Sequence, residues 1–404
     1  MASSDAPATD TGCPVCGSAN RHDVLSLPSV PVLVNAQVRP HDAASVPRGD
    51  MDLVVCAGCG HLYNRSFDPT LLDYDATYEN TLHYSAHFRT FAAALRDRLV
   101  NEHQLVGERV AELGSGPGHF LSMLCDAGVS EALGFDPSYD ADRLGAPEHR
   151  AVTISTDLFP SDGSLDVRLA FSQHVLEHLA DPVAALVAQR RAVEAQHGVV
   201  YSEVPNGELM LQECALWDLI YEHRSYFVPT SLEVACRRAG LNPSIIGTAF
   251  GGQFLWCEAT PGGATRVDAD PGRVDSAVEQ ALAFGRAALQ RIDEARRELA
   301  SWAEIGPVAL WGAGSKGMTY LNIVAADIPV GAVVDINPRK AGWGVPGTSF
   351  TISTPEELVS VEPRTVLVAN PVYVGEIAAQ LDALGVRADV RPLWGEQVME
   401  ATGC

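Results

Sequence analysis

The stretch Glu112-Leu-Gly-Ser-Gly-Pro-Gly118 constrains this chain more than any other. It follows the strand-like run Arg109-Val-Ala-Glu-Leu113 and precedes a helix-like run, Phe120–Ala127. Closely spaced glycines there let the backbone turn sharply and approach a ligand, as in doubly wound α/β folds. Dinucleotide sites open such a turn on glycine and seat a pyrophosphate at the helix N-terminus. Here the pattern is E-x-G-x-G-x-G, with an acid inside the strand end. Glu112 would repel a pyrophosphate, and it suits a zwitterionic, sulfonium-bearing cofactor.

The neighbouring strand ends extend that reading to S-adenosylmethionine. Gly134-Phe-Asp136 places an acid where ribose hydroxyls can donate to it, with Pro137 following. Asp157 and Leu158 close the third strand-like region, at the place of an adenine ring. Phe171-Ser172-Gln173-His174 closes the fourth. The expected cofactor set is therefore Glu112, Gly114, Ser115, Gly116, Gly118, Asp136, Pro137, Asp157, Leu158, Ser172, Gln173 and His174.

A length of 404 residues implies two or three domains. Between about 85 and 260, helix-like Phe88–His103 is followed by strand-like Arg109–Leu113, Glu131–Phe135, Val167–Phe171 and Val199–Glu203, alternating with helices. That order predicts a parallel sheet covered on both faces. Helix-like Ser276–Glu304, with Val278, Ala281, Leu282, Leu289, Ile292 and Leu299 at helical spacing, leads to a second α/β unit. This unit reads as strand Val308–Trp311, helix Met318–Ala325, strands Val330–Asp335 and Thr365–Ala369, and helix Val374–Leu384. The division expected is 1–75, 76–265 and 266–404.

Before the first α/β unit stand Cys13-Pro-Val-Cys16 and Cys56-Ala-Gly-Cys59, two C-x2-C knuckles each followed by glycine. Cys13, Cys16, Cys56 and Cys59 can offer Zn²⁺ four sulfurs tetrahedrally, and four thiolates leave no open position, so the metal would be structural. An odd total of nine cysteines argues against a disulfide framework.

Acid–base residues crowd into Leu216-Trp-Asp-Leu-Ile-Tyr-Glu-His-Arg-Ser-Tyr-Phe227, after Tyr201-Ser-Glu-Val-Pro-Asn206. His223 beside Glu222 suits proton abstraction near neutral pH. Tyr221 and Tyr226 are placed to hydrogen-bond a developing enolate oxygen. His178, in His174-Val-Leu-Glu-His178, would face the same cleft. Tyr78 and Tyr84 are candidate lid residues, with His83 and His87 beside them. In the last unit, Trp311-Gly-Ala-Gly-Ser-Lys-Gly317 offers glycines and Lys316 to a phosphate, and Asp335 ends the next strand. Asn206, Lys316 and Asp335 join Tyr78 and Tyr84 as expected substrate contacts.

Taken together, the knuckles, the Glu112–Gly118 loop and Ile220-Tyr-Glu-His-Arg-Ser-Tyr-Phe227 make the chain resemble the deoxysugar C-methyltransferases of antibiotic biosynthesis, over nearly its whole length. The resemblance implies an N-terminal zinc-binding module, a class I methyltransferase doubly wound sheet and a C-terminal Rossmann-like domain. It implies methylation of carbon beside the 4-keto group of a nucleotide-linked deoxysugar. His223 would be the base with Glu222 beside it, and a His at the position of His178 and nearby tyrosines would line the sugar site. Where those enzymes read Tyr-His-Glu-His, this chain has Ile220-Tyr221-Glu222-His223. The C-terminal turn is similar to the family's Gly-Ala-x-x-Lys-Gly segment, which implies that the nucleotide-sugar sits between the last two domains.

Two alternatives stand beside that expectation: O- or N-methylation of another small metabolite, and an NAD-dependent oxidoreductase using the C-terminal loop. A net charge of −23 disfavours nucleic acid and anionic lipid as partners. The opening Met1–Asp10 shows no basic and apolar leader, and no apolar run reaches membrane-spanning length, so a cytoplasmic location is expected.

Overall fold

The computed structural model describes residues 12–72, 82–262, 269–325 and 328–394. Tyr78 lies outside them. Chain order opens with β1 (Arg21–Pro31), β2 (Arg48–Cys56) and β3 (Leu62–Asn64), an antiparallel meander that the sequence does not announce. Register shifts between Asp23 and Leu25 and between Leu27 and Val30 break the two-residue alternation that would have marked β1.

Next comes α1 (Ala86–Glu102), started by the Ser85 hydroxyl accepting from the Phe88 amide. The central unit continues through β4 (Arg109–Leu113), α2 (His119–Asp126), β5 (Glu131–Phe135), α3 (Ala141–Leu144), β6 (Val152–Ser155), β7 (Leu169–Gln173), α4 (Pro182–Glu194) and β8 (Val199–Pro205). It closes with α5 (Gly207–Gln212), β9 (Ser225–Tyr226), α6 (Pro229–Arg238) and the hairpin β10 (Leu241–Ala249) and β11 (Phe254–Pro261).

The seven-stranded central sheet runs β10-β11-β8-β7-β4-β5-β6. Its strands from β6 to β8 are parallel, and β11 joins β8 antiparallel. Sequence order reverses direction at β4, so ligands are expected outside the carboxyl ends of β4 and β7. β9 leaves this unit altogether and pairs with β3, extending the N-terminal sheet to β1-β2-β3-β9.

The last part comprises α7 (Pro271–Ile305), β12 (Val308–Trp311), α8 (Ser315–Ile323), β13 (Ala332–Val334), β14 (Ile352–Ser353), α9 (Leu358–Val361), β15 (Thr365–Val368), α10 (Val374–Leu384) and β16 (Asp389–Pro392). Its five strands form a parallel sheet, β14-β13-β12-β15-β16. Helix α7 is longer than its sequence pattern suggests, because Asp270 caps it by accepting from the Gly272 and Arg273 amides.

The face of α7 that packs is rich in alanine. Ala277, Ala281, Ala288 and Ala295 are buried with Val274, Phe284, Ile292 and Leu299, while Leu289 is 57% exposed. Close approach to β1 explains the choice: a Cβ at Gly285 would sit 2.0 Å from the Val24 carbonyl oxygen. Small residues win where backbone meets backbone. The helix thereby joins the N-terminal and C-terminal sheets in one continuous apolar core. Among the described residues, no helix is long and apolar enough to cross a membrane.

Candidate active site

The Glu112–Gly118 turn has the expected form. Gly114 and Gly116 adopt φ of 74° and 50°, the left-handed region that only glycine enters at little cost. A Cβ on Gly114 would collide with Val175, whereas Gly116 faces open space. Asp136 braces the turn: one carboxylate oxygen accepts from the Gly116 amide at 2.7 Å, and the other from Ser138 N–H and O–H at 2.9 and 2.6 Å. Glu112 lies buried beneath the turn with its Oε2 making no hydrogen bond, and burial, with Asp136 nearby, raises its pKa well above the usual range.

An orphaned acid under an open glycine turn fits the ammonium and sulfonium charges of S-adenosylmethionine. Other expected contacts fit less directly. The Ser172 side chain is fully buried, its hydroxyl 3.4 Å from Ser202 Oγ on the next strand. Gln173 donates to Glu203 at 3.3 Å. Asp157 accepts from Ser155 Oγ at 2.9 Å beside Leu158, which is 79% exposed on an open rim.

A cleft of about 220 Å³ opens between the carboxyl end of the central sheet and the glycine-rich turn of the C-terminal sheet. His174, Glu177, His178 and His223 line its central-domain wall, with Phe250 and Phe254 from the hairpin. Tyr84 and Asn35 close other sides, the latter brought from the N-terminal module. Gly312, Gly314, Ser315, Lys316, Asp335 and Lys340 form the C-terminal wall.

The histidine wall is built by β7 and the single 3-10 turn Leu176–His178 that follows it. His174 adopts a φ of 55°, which turns its ring edge-on to Phe254, with centroids 4.4 Å apart. Its nitrogens lie 3.7 Å from Glu177 and 3.5 Å from Glu203. Burial lowers its pKa, and the two carboxylates more than reverse that, so the net shift is upward. His178 Nδ1 donates to the Glu222 carbonyl at 3.0 Å, and burial lowers its pKa. His223 stands edge-on to His178 at 4.9 Å and is driven to about 3, first by burial and then by His178. It is a neutral imidazole near pH 7.

Several expected partners of His223 face elsewhere. The Glu222 carboxylate turns into the N-terminal module, where Val34 N–H donates to it at 3.0 Å. Tyr221 accepts from the Asp68 amide at 2.8 Å and stacks on Phe67, away from the cleft. Tyr226 donates to the Ile220 carbonyl at 3.0 Å, which pins the turn carrying His223 and leaves no hydroxyl for an enolate. Consecutive residues of an irregular segment point to opposite sides, so sequence adjacency did not become contact. Asn206 caps α5 by accepting from the Glu208 amide and donating to Gly252, which makes it a structural contact.

In the C-terminal wall, Lys316 Nζ lies 2.8 Å from Asp218 and Lys340 Nζ 2.9 Å from the Ala313 carbonyl. Asp335 accepts from the Ala313 and Asn337 amides at 2.7 and 2.9 Å, so it shapes the turn as well as facing the cleft. Lys340, Asn35, Phe250, Phe254 and Glu177 were absent from the sequence reading. Only Glu177 carried a local signal, the His174-x-x-Glu177-His178 spacing.

At the N-terminus, Cys13 and Cys59 sulfurs are 3.6 Å apart, Cys16 and Cys56 3.4 Å, and all four lie within 4.8 Å of one another. Tetrahedral Zn–S bonds of about 2.3 Å put sulfurs about 3.8 Å apart. The knuckles close as anticipated, with Gly17 N–H donating to Cys13 O at 2.8 Å and Gly60 N–H to Cys56 O at 2.9 Å. The four thiols fit zinc.

Residues 84–244 match the model of a methyltransferase domain family, and residues 276–388 that of the C-methyltransferase C-terminal domain. The tRNA U34 carboxymethyltransferase of Dichelobacter nodosus (strain VCS1703A) is 31% identical over 139 residues, 32% of this chain and 44% of that protein. The chain thus aligns with less than half of that curated relative's length. Among solved structures, magnesium protoporphyrin IX methyltransferase from Synechocystis PCC 6803 with bound SAH is 18% identical, with a TM-score of 0.34, covering 43% of this chain and 83% of that one. A Burkholderia thailandensis 1,6-didemethyltoxoflavin-N1-methyltransferase is 16% identical, with a TM-score of 0.33, over 44% and 81%. The central domain has the class I methyltransferase fold, and both family matches place the chain among methyltransferases. The oxidoreductase alternative is not favoured, since the C-terminal sheet carrying its glycine turn falls in a C-methyltransferase domain.

Proposed function

We propose that this chain is an S-adenosylmethionine-dependent methyltransferase acting at carbon, on a ketone carried by a nucleotide-linked sugar. The observation that carries the reading is the shared cleft: a neutral, buried His223 on one wall and a glycine turn flanked by Lys316 and Lys340 on the other. A base near the central sheet and two ammonium groups across from it suit an acceptor with a reactive carbon at one end and phosphates at the other.

S-adenosylmethionine, when bound, supplies an electrophilic methyl group. Glu112, Gly114, Gly116 and Asp136 would hold it at the end of β4. His223 takes the proton α to the ketone, and the electron pair left on carbon becomes the nucleophile. Phe250 and Phe254 exclude water from that end of the cleft, and positioning supplies much of the rate. Cys13, Cys16, Cys56 and Cys59 hold a structural zinc in this reading, which leaves the metal no part in the chemistry.

The test is incubation with a panel of nucleoside-diphosphate-linked 4-ketosugars and detection of a one-methyl mass gain, together with wash-in of solvent deuterium at the acceptor carbon. His223→Ala should bind S-adenosylmethionine normally and lose turnover and exchange by roughly 10²–10⁴-fold. Methyl gain on oxygen or nitrogen without carbon exchange would replace the reading with the heteroatom alternative.

A further inference from the structure

Glu177 has no part in that reading, although it lies at the centre of the histidine wall. It is 1% exposed, and neither carboxylate oxygen makes a hydrogen bond. A buried carboxylate in that state is unfavourable unless nearby charge compensates. Imidazoles surround it: His174 Nδ1 at 3.7 Å, His178 Nε2 at 3.9 Å, and a His223 ring nitrogen within 4.8 Å.

Two of these rings have fixed roles. The Glu222 carbonyl only accepts, so His178 carries its proton on Nδ1 and turns Nε2 toward Glu177. His174 stands between two acids, Glu203 at 3.5 Å and Glu177 at 3.7 Å, whose charges favour a proton on each of its nitrogens. Tyr201 and Gln173 also donate to Glu203, at 2.7 and 3.3 Å. Across the cleft, Asp218 is already paired with Lys316 at 2.8 Å. Glu177 is thus the carboxylate placed to meet new positive charge on His223, whereas Glu222 faces the N-terminal module.

We propose that Glu177 is the positioning residue that stabilises the imidazolium of His223, in place of the Glu222 that adjoins it in sequence. The inference rests on His223 being the base. When the acceptor C–H bond breaks, its electron pair stays with carbon and delocalises onto the ketone oxygen, and its proton passes to His223. The resulting cation forms beside an existing buried anion, which lowers the barrier to that step.

Glu177→Gln keeps the shape and removes the charge. Using the 4-ketosugar from the panel that the wild type methylates, with protium or deuterium at the acceptor carbon, kcat should fall roughly 10–100-fold with KM nearly unchanged. The deuterium effect on kcat should rise, because proton removal becomes limiting, and Glu177→Asp should recover part of both. A structural defect lowers the active fraction without raising the isotope effect. Histidine ¹⁵N NMR without substrate adds an independent reading: the His223 imidazole, assigned by its absence in His223→Ala, should stay neutral to lower pH in Glu177→Gln than in the wild type.

An unchanged isotope effect and titration in Glu177→Gln would overturn the proposal while leaving His223 as base, provided His223→Ala abolishes exchange. Exchange surviving in His223→Ala would remove the reading beneath it as well. A second bound equivalent of zinc or manganese in the wild type, lost in Glu177→Gln, would make the cluster a cation site and also overturn it.

Discussion

Replacing Glu222 by glutamine should flatten part of the dependence of stability on pH. Glu222 is fully enclosed; one oxygen accepts from Val34 N–H at 3.0 Å and the other makes no hydrogen bond. Burial raises its pKa from 4.5 to about 8, against the lowering effect of the Val34 and Asn35 amides. The folded value lies above the unfolded one, so the native state holds this proton more tightly. Its contribution is fully present below about pH 4.5 and is lost as pH rises through about 8. With 1.36 kcal/mol for each tenfold change in proton affinity, the whole loss approaches roughly 5 kcal/mol.

Glutamine keeps an acceptor for Val34 and cannot ionise. Urea titrations of both proteins should show the variant gaining on the wild type by roughly 4 kcal/mol between about pH 5 and pH 9. His178 and His223, with lowered values, lose stability as pH falls, and they do so in both proteins, so the difference isolates Glu222. Turnover at neutral pH should stay within a few-fold of wild type, since Glu222 is then largely protonated already. A difference that stays constant across this range, or a loss of turnover as large as that expected for His223→Ala, would refute both the burial argument and the assignment of Glu222 to structure.

Two further outcomes are expected. Cys56→Ser should reduce bound zinc from about one equivalent to a small fraction and lower Tm by on the order of 10 °C, read by metal analysis and differential scanning fluorimetry. Gly116→Val should weaken S-adenosylmethionine binding at least about tenfold by calorimetry and also lower Tm by a few degrees, because a β-branched side chain is strained at a φ of 50° and projects into the open space above the turn.

What the sequence revealed was local. The β4 turn and the cysteine knuckles are each written within a few residues, and their geometry follows from glycine and sulfur chemistry alone. The histidine wall is half legible: His178 and His223 stand out by residue type, whereas the carboxylate grouped with them is Glu177 and not Glu222, the sequence neighbour of His223. A segment with neither helical nor strand periodicity gives no rule for which side chain faces which way, and Tyr221 fills space beside Gly49 instead of the cleft. Asn35 and Lys340 gave no signal, because loops from the N-terminal and C-terminal parts bring them to the site. The buried face of α7 is hard to read for a related reason: helical spacing marks the helix, but backbone proximity at Gly285 favours alanine over larger apolar residues on the face that packs.

The same connectivity joins the cysteine cluster to His223. Cys56 and Cys59 end β2 and begin the turn into β3, and His61 Nε2 lies 3.1 Å from the Ser225 hydroxyl. Leu62 and Tyr63 of β3 pair with Tyr226 and Ser225 of β9, two residues beyond His223. Tyr226 in turn holds the Ile220 carbonyl, and Val34 holds Glu222, so the His223 turn is fastened to the N-terminal module on both sides. A two-residue strand has too few hydrogen bonds to persist without the sheet it joins. Loss of a zinc held by the four cysteines should therefore release β3, then β9, and loosen the turn that carries His223. In Cys56→Ser, proton exchange at the acceptor carbon should decline with zinc content while S-adenosylmethionine affinity, set at the far end of β4, is retained.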